Sequence, residues 1–234
     1  MLSDVMEDYL KAIHQIQARS GPPVSTSAVA DALDKTPATV TSMLGTLEER
    51  GLVTREKYKG VELTPEGETV ALEILRHHRL LEAYLAERLN YSWSEVHDEA
   101  DALEHHISEE FERRVAEALG DPVVDPHGDP IPSADLTPLE EDEATPLSAQ
   151  EVGDRVVVSR VSDRDREELE YLAEAGLTPG TRLEVVDVAP FGMVTVRTES
   201  DAEQSLPESV AEAIYVRSAA DAAAPDSSSE VGDA

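Results

Sequence analysis

The chain has 234 residues, no cysteine and a formal net charge of -31, from 50 Asp and Glu against 19 Lys and Arg. This length allows two or three small domains with hydrophobic cores of their own. The absence of cysteine excludes disulfides and thiolate sites, so a metal ion would need His, carboxylate, Met, backbone or water ligands. No apolar run is long enough to span a bilayer and no signal peptide opens the chain, which predicts a cytoplasmic protein.

The negative charge is concentrated after the first quarter of the chain. Residues 1–60 contain seven Lys and Arg against eight Asp and Glu, whereas the remaining residues contain 12 against 42. A nearly neutral N-terminal region is compatible with DNA binding, which a uniformly acidic protein would oppose. Acidic residues in every later segment, with few lysines and 4% aromatic residues, are typical of adaptation to high internal salt. We therefore expect a halophilic, archaeal source.

The first 64 residues show the order of elements of a winged helix-turn-helix. Apolar spacing predicts helices over residues 4–17, 28–33 and 36–50. The alternating stretch from Leu52 to Leu63, with Lys59-Gly60 at its turn, predicts a β-hairpin. We therefore predict a DNA-binding winged helix-turn-helix domain over residues 1–64. The alternative is another kind of small α+β domain.

A helical region is predicted over residues 65–135. One long helix reaches about Asn90, and a second runs from Ser92 to Leu119. Both are amphipathic and have more apolar surface than one domain covers, which predicts a dimerisation domain and a homodimer.

Part of the second helix has the composition of a metal site. Read as one helix, residues 96–110 place His97, Asp101, Glu104 and His105 on one face. Two imidazoles and two carboxylates make a mixed nitrogen and oxygen ligand set for a divalent metal ion. The alternative is a solvated acidic helix whose histidines have no such role.

The remainder changes from linker to strand composition. Residues 136–150 are rich in Pro, Asp and Glu and predict a linker. Residues 151–217 have short β patterns and tight turn signals, with a short helix over residues 166–175, which predict a small barrel. Residues 218–234 are mainly Ala, Asp and Ser and predict a disordered tail.

The motifs follow one another in a recognisable order: MEDYLKAI, TPATVTSMLGTLEERGLV, LTPEG, HHRLLEAYL, VHDEADALEHHISEE and HGDPIPSADL. This succession resembles the diphtheria-toxin-repressor family, the metal-dependent iron and manganese regulators. The resemblance covers residues 1–135, and LAEAGLTPG makes residues 151–217 similar to the family's SH3-like (FeoA-like) domain. It implies a mainly α fold with a β C-terminal domain: a winged helix-turn-helix, a helical dimerisation domain and a small SH3-like β-barrel.

The resemblance also implies two metal ions per subunit. The regulatory site falls on Asp8, Asp101, Glu104 and His105, and the ancillary site on His78, Glu82, His97, Asp165 and Glu168. The alternative for Asp8 is an acid favoured by the dipole of a first helical turn. For Asp165 and Glu168 the alternative is a solvated acidic helix.

Carboxylates at positions 8 and 101, where the iron branch of the family has Met and Cys, favour Mn(II), with Fe(II) as the alternative. Three departures weaken that preference. Lys11 replaces a carboxylate often used by the manganese branch, Asp101 is shorter than the expected Glu, and a third domain is more typical of the iron branch.

These features predict a metal-dependent DNA-binding repressor of metal-ion uptake and homeostasis, not an enzyme. We expect it to bind a pseudopalindromic operator as a homodimer, with no membrane partner. The predicted DNA contacts are hydroxyl and cationic side chains: Ser25, Thr26, Thr36, Thr39, Thr41, Ser42, Arg55, Lys57 and Lys59. The alternatives are a regulator with Fe(II) as its sole co-repressor, and a winged-helix regulator that senses an organic ligand. A metallohydrolase is disfavoured because the predicted ligands lie on packed helices without an obvious base, nucleophile or substrate pocket. A transport accessory is disfavoured by the complete helix-turn-helix.

Overall fold

A computed structural model describes residues 2–56, 59–138, 144–163, 165–190 and 192–220. It divides into two compact units, one of residues 1–90, 96–125 and 130–141, the other of residues 91–95, 126–129 and 142–234. The first is mainly helical and the second is rich in β-sheet. Lys57 of the predicted DNA contacts and residues 221–234 of the predicted tail lie outside the described residues.

The first unit begins with three helices and a hairpin. They are α1 (Asp4–Ser20), α2 (Thr26–Ala32), α3 (Pro37–Glu49), β1 (Val53–Glu56) and β2 (Gly60–Leu63). Side-chain caps set two of the helix starts. Ser25 Oγ accepts a hydrogen bond from the Ala28 amide at 3.1 Å, and Thr36 Oγ1 accepts one from the Thr39 amide at 3.3 Å.

These elements surround one hydrophobic core. It contains buried apolar residues from every element: Tyr9, Leu10, Ile13, Val29, Val40, Leu44, Leu47, Val53 and Val61. The hairpin is antiparallel, and Val24 extends it by bridging to Val61. Gly60 adopts φ +137°, and a Cβ there would lie 2.1 Å from the Val24 carbonyl oxygen. Only glycine therefore allows the hairpin to approach the chain before α2 so closely.

Three more helices complete this unit: α4 (Pro65–Leu89), α5 (Val96–Leu103) and α6 (Glu109–Leu119). Pro65 occupies the first turn of α4, where its missing amide costs no hydrogen bond. Leu81 and Leu85 of α4 pack with Val96 and Ala100 of α5. A separate cluster joins Leu80 to α6 through Val115 and Ala116.

The prediction of one continuous helix from Ser92 to Leu119, which includes residues 96–110, is wrong. Helix α5 ends at Leu103, and Glu104 and His105 lie in the turn that follows. Ser108 then begins α6, because its Oγ accepts a hydrogen bond from the Phe111 amide at 3.3 Å. The Ser-Glu-Glu sequence is therefore a start signal that helical periodicity alone did not reveal.

The second unit contains a six-stranded antiparallel sheet in the order β3-β8-β4-β5-β6-β7. Its elements are β3 (Thr145–Pro146), β4 (Arg155–Val161), α7 (Arg166–Glu174), β5 (Arg182–Val188), β6 (Val194–Thr198), β7 (Glu203–Leu206), α8 (Glu208–Ala213) and β8 (Ile214–Ser218). Alternating valines of β4, β5 and β6 and Leu169 and Leu172 of α7 form its core. The sequence patterns did not predict β3, β7 or α8.

Across the described residues, no helix combines the length and apolar character that a membrane crossing requires.

Candidate metal centre

Asp8, Glu104 and His105 form a group of three donors that joins α1 to the turn after α5. His105 Nε2 lies 2.9 Å from Asp8 Oδ1 and 3.4 Å from Glu104 Oε1. One donor atom from each residue lies within 4.8 Å of the other two. Two carboxylates and an imidazole are a donor set that divalent transition metals accept. Three of the four predicted regulatory ligands are therefore close to one another.

The fourth predicted regulatory ligand, Asp101, belongs to a second group. Its Oδ1 lies 3.2 Å from His78 Nδ1, which lies 2.6 Å from Glu104 Oε2. His78, Asp101 and Glu104 again offer donor atoms within 4.8 Å of one another. The two groups share Glu104, whose side chain is fully buried. Each oxygen of that carboxylate thus faces a different group.

His78, Glu82 and His97, predicted as ancillary ligands, also lie together. Glu82 Oε1 lies 3.1 Å from His78 Nε2 and 3.3 Å from His97 Nδ1. The spacing of four residues places His78 and Glu82 on one face of α4, and α5 brings His97 to them. His78 is therefore shared with the preceding group through its other ring nitrogen.

Sequence reasoning did not identify the role of two residues of α1. Glu7 Oε2 lies 2.8 Å from His105 Nδ1, on the opposite edge of the ring from Asp8. Lys11 Nζ donates hydrogen bonds to Asp101 Oδ1 at 2.8 Å and Glu104 Oε1 at 2.6 Å. Lys11 follows Asp8 by three residues, so the helical period gives a signal that both side chains share one face.

Acidic groups surround His105, whereas cationic groups surround Asp101. Burial lowers the pKa of His105, but Glu7, Glu104 and Asp8 outweigh it and raise that pKa above its ordinary value. Burial raises the pKa of Asp101, but the hydrogen bond from His78 and the charge of Lys11 outweigh it and hold that pKa well below its ordinary range. Burial is the main cause of the raised pKa of Asp8.

The residues present fit a divalent metal ion. A buried carboxylate is stable only beside positive charge or strong hydrogen-bond donors, and Glu104 is fully buried among His78, His105 and Lys11. Carboxylate and imidazole donors surround it on two sides, without sulfur. Such hard and borderline donors suit Mn(II), Fe(II) and Zn(II).

Asp165 and Glu168 lie in the second unit, at the start of α7. Asp165 Oδ1 accepts hydrogen bonds from the amides of Glu167 at 2.9 Å and Glu168 at 3.1 Å, so it caps the helix. In the described parts of the chain, neither residue belongs to a group of three possible metal ligands.

The predicted DNA contacts that the structure describes lie on α3, at the start of α2 and on the hairpin. Thr36, Thr39, Thr41 and Ser42 are exposed along the first turns of α3. Ser25, Thr26, Arg55 and Lys59 line one cavity of about 520 Å³, with Glu48, Glu56 and Gly60. The two cations lie beside acids: Lys59 Nζ is 2.6 Å from Glu56 Oε2, and Arg55 Nη1 is 3.8 Å from Glu48 Oε2.

Three family models match the chain in succession. Residues 1–61 match the iron dependent repressor N-terminal DNA binding domain, and residues 64–133 match the iron dependent repressor metal binding and dimerisation domain. Residues 145–218 match the FeoA domain. These matches confirm the predicted fold class of a helical N-terminal part and a sheet-rich, SH3-like C-terminal part.

Two known regulators are similar to a little less than half of the chain. The HTH-type transcriptional regulator MntR of Lysinibacillus sphaericus is 33% identical over 103 residues, which are 44% of this chain and 73% of that protein. The diphtheria toxin repressor of Corynebacterium jeikeium is 33% identical over 109 residues, or 47% of this chain and 45% of that protein. The aligned part thus spans less than half of the latter's length.

Solved structures extend the similarity to nearly the whole chain. A manganese-dependent transcriptional repressor in complex with manganese has a TM-score of 0.85 and 39% identity, covering 91% of this chain and 99% of that one. The IdeR structure from T. acidophilum has a TM-score of 0.76 and 26% identity, covering 93% and 100%. The resemblance predicted from the motifs is confirmed: the chain belongs to the diphtheria-toxin-repressor family of metal-dependent transcriptional regulators, whose members are not enzymes.

Proposed function

We propose that this protein is a metal-dependent repressor of metal-ion uptake and homeostasis, whose operator binding requires Mn(II) or Fe(II). The observation that carries the proposal is the contact of Asp8 on α1 with His105 after α5, at 2.9 Å. Helix α1 packs in the core that supports α3, whereas α5 packs on α4. A link between Asp8 and His105 therefore connects the DNA-reading part of the unit to its helical part.

Asp8, Asp101, Glu104 and His105 are the proposed ligands of the regulatory ion. A bound divalent ion would supply positive charge to carboxylates that otherwise contact only Lys11 and the histidines. Asp8 then fixes α1 at one angle, while Glu7 holds the other edge of the His105 ring at 2.8 Å. Coupling between metal binding and a DNA-binding conformation commonly stabilises that conformation by about 1–3 kcal/mol per linked site.

The ancillary ion is proposed to bind His78, Glu82 and His97. Their donor atoms converge beside the buried part of α4, so an ion there would stabilise the packing of α5 on α4. Asp165 and Glu168 remain the proposed contribution of the second unit. One ion at each site gives two per subunit.

Oxygen donors favour Mn(II) as the regulatory ion. Asp8, Asp101 and Glu104 supply three carboxylates against one imidazole, and the chain has no cysteine. The similarity to a repressor that was solved in complex with manganese supports the same choice. Fe(II), with similar ligand preferences, is the alternative.

Operator recognition is proposed to use α3 and the hairpin as a winged helix in a homodimer. Threonine hydroxyl and methyl groups on α3 can contact phosphates and thymine methyl groups, and Arg55, Lys57 and Lys59 are the proposed phosphate contacts. Because α3 has no Arg or Gln near its start, readout would depend mainly on DNA shape. The exposed side chains of Leu89, Leu103 and Phe111 support a dimer interface in the helical region.

We place this dimer in a salt-rich cytoplasm, where the excess of acidic residues keeps the surface hydrated.

The experiment is therefore operator binding in molar salt, with the operator selected from a pool of random duplexes. Mn(II) and Fe(II) are titrated without oxygen, beside a chelator, with wild type, Asp8→Ala and the matched control Asp98→Ala. Asp98 is an exposed acid of α5 outside the candidate ligand groups.

We expect metal-dependent binding by the wild type and Asp98→Ala, and at least a tenfold loss of affinity in Asp8→Ala, which corresponds to about 1.4 kcal/mol of coupling. The ion that acts at the lower free concentration is the preferred effector. Equal binding with chelator by all three proteins would contradict the proposal and favour an organic effector.

A further inference from the structure

The Lys11 ammonium lies between two of the proposed ligand carboxylates, those of Asp101 and Glu104. The ammonium donates hydrogen bonds to Asp101 and Glu104 at 2.8 and 2.6 Å. The Lys11 side chain is 13% exposed, so it has exchanged most of its water for these two carboxylates. A buried ammonium with two such partners has one strongly preferred position.

That position corresponds to one of two possible cation positions around Glu104. The Asp8–Glu104–His105 and His78–Asp101–Glu104 groups share this carboxylate. Lys11 donates to Asp101 Oδ1 of the second group and to Glu104 Oε1, the oxygen that also lies 3.4 Å from His105 Nε2. Its single positive charge therefore offsets part of the negative charge that would attract a divalent ion to Asp101 and Glu104.

The balance of charge allows one divalent ion beside the ammonium. Asp8, Asp101 and Glu104 are the three carboxylates of the two groups, and one divalent ion and one ammonium balance their charge when His78 and His105 are neutral ligands. A second divalent ion would leave an excess of positive charge next to a fully buried carboxylate, where water screens it poorly.

We propose that Lys11 is a positioning residue whose ammonium acts as a tethered cation and occupies one of the two cation positions around Glu104. A single divalent ion then completes the pair of groups, an inference that rests on the proposed metal-dependent function. The ammonium comes from α1 and its partners lie on and directly after α5. It therefore also holds α1 against the end of α5 before metal binds.

The number of metal ions bound per chain tests whether the Lys11 ammonium occupies a cation position beside Glu104. Equilibrium dialysis against Mn(II) in molar KCl, followed by metal analysis, compares the wild type with Lys11→Glu, Lys11→Arg and the exposed control Lys35→Glu. We expect Lys11→Glu to bind one more ion per chain, and the other two variants to match the wild type. Equal counts in Lys11→Glu and the wild type would overturn the proposal.

Hydrogen exchange tests the tether without any metal. In chelator, the amides of α1 in Lys11→Gln are expected to exchange at least about tenfold faster than those of the wild type, whereas Lys11→Arg stays near wild type. Equal exchange in Lys11→Gln and the wild type would refute the tether. Operator binding that the wild type shows equally with Mn(II) and with chelator would instead contradict the proposed function, while the ion count and exchange would still decide the role of Lys11.

Discussion

The Nε2 atom of His105 lies 2.9 Å from Oδ1 of Asp8, although 97 positions of sequence separate the two residues. Helix α1 carries one partner, and the turn after α5 carries the other. Because this contact joins distant parts of the first unit, changes at either residue should affect both metal affinity and the position of α1.

Asp8→Asn is expected to reduce stabilisation by metal. A ligand at a hundred times its dissociation constant raises the free energy of unfolding by about 2.7 kcal/mol. We expect Mn(II) to stabilise Asp8→Asn by less than half as much as the wild type, because an amide is a weaker ligand than a carboxylate. Thermal unfolding with Mn(II) and with chelator measures the difference. Asp98→Asn is the control, and a shift of wild-type size in Asp8→Asn would remove Asp8 from the ligand set.

His14 is expected to make the protein less stable as pH falls from about 6.5 towards 4. Burial, and then the charge of Arg79, lower the pKa of His14 to about 4. The unfolded chain, with an ordinary His pKa, therefore binds more protons in this window, and unfolding becomes easier as the pH decreases. The contribution at neutral pH is at most about 3 kcal/mol, since His14 is only partly buried.

Urea unfolding of metal-free wild type and His14→Gln between pH 5 and 6.5 measures this dependence. The variant lacks the titrating imidazole, so its free energy of unfolding should vary less with pH. Parallel curves for the two proteins would show that His14 titrates alike in the folded and unfolded chains.

Lys59→Gln and Arg55→Gln are expected to weaken DNA binding by similar factors on every sequence. The two cations line the same cavity as Ser25 and Thr26. A phosphate contact contributes about one unit to the slope of log affinity against log salt concentration. Each substitution should therefore reduce that slope by up to about one in fluorescence anisotropy titrations. Arg182→Gln, an exposed change in the second unit, should leave the slope unchanged.

Gly60→Ala is expected to destabilise the first unit by at least about 2 kcal/mol. The new Cβ would lie 2.1 Å from the Val24 carbonyl oxygen, at φ +137°. Gly120→Ala is the matched control, because its φ of +79° is also positive but no atom lies within 4 Å of the added Cβ. It should cost about 1 kcal/mol. Equal losses in the two variants would show that the hairpin moves freely away from Val24.

Asp165→Ala is expected to cost about 1 kcal/mol, because the helix loses its cap. Asp165→Ser should restore most of this stability, since serine also accepts hydrogen bonds at a helix start. If Asp165→Ser has a normal free energy of unfolding but binds fewer Mn(II) ions, Asp165 also acts as a ligand. If Asp165→Ser is as unstable as Asp165→Ala, the capping contribution is contradicted.

Local sequence signals predicted the regular elements well. The apolar spacing that predicted helices over residues 28–33 and 36–50 agrees with the buried faces of α2 and α3. By contrast, β7 has the sequence EQSL with one buried residue, which is too short and polar for a strand pattern. The apolar periodicity of the sequence extends past the end of α5, so it predicted one helix where the structure has two. Periodicity does not detect the cap that Ser108 provides.

Local sequence signals predicted only part of the candidate site. The spacing of His78 and Glu82 predicts a shared helical face, but no local pattern relates Asp8 to residues near position 104. That relation came from the resemblance to the family. The contacts of Glu7 and Lys11 depend on the packing of α1 against α5, which charge and spacing do not specify.

The imidazole of His78 lies between two ligand groups, with Nδ1 facing Glu104 and Nε2 facing Glu82. A neutral imidazole has one N–H and one lone pair, so it can coordinate an ion on one side only and donates a proton on the other. If Nε2 coordinates, Nδ1 becomes a donor that orients Glu104 for the neighbouring group. One ring therefore makes the occupancies of the two groups interdependent, so metal binding at one group would change the affinity of the other.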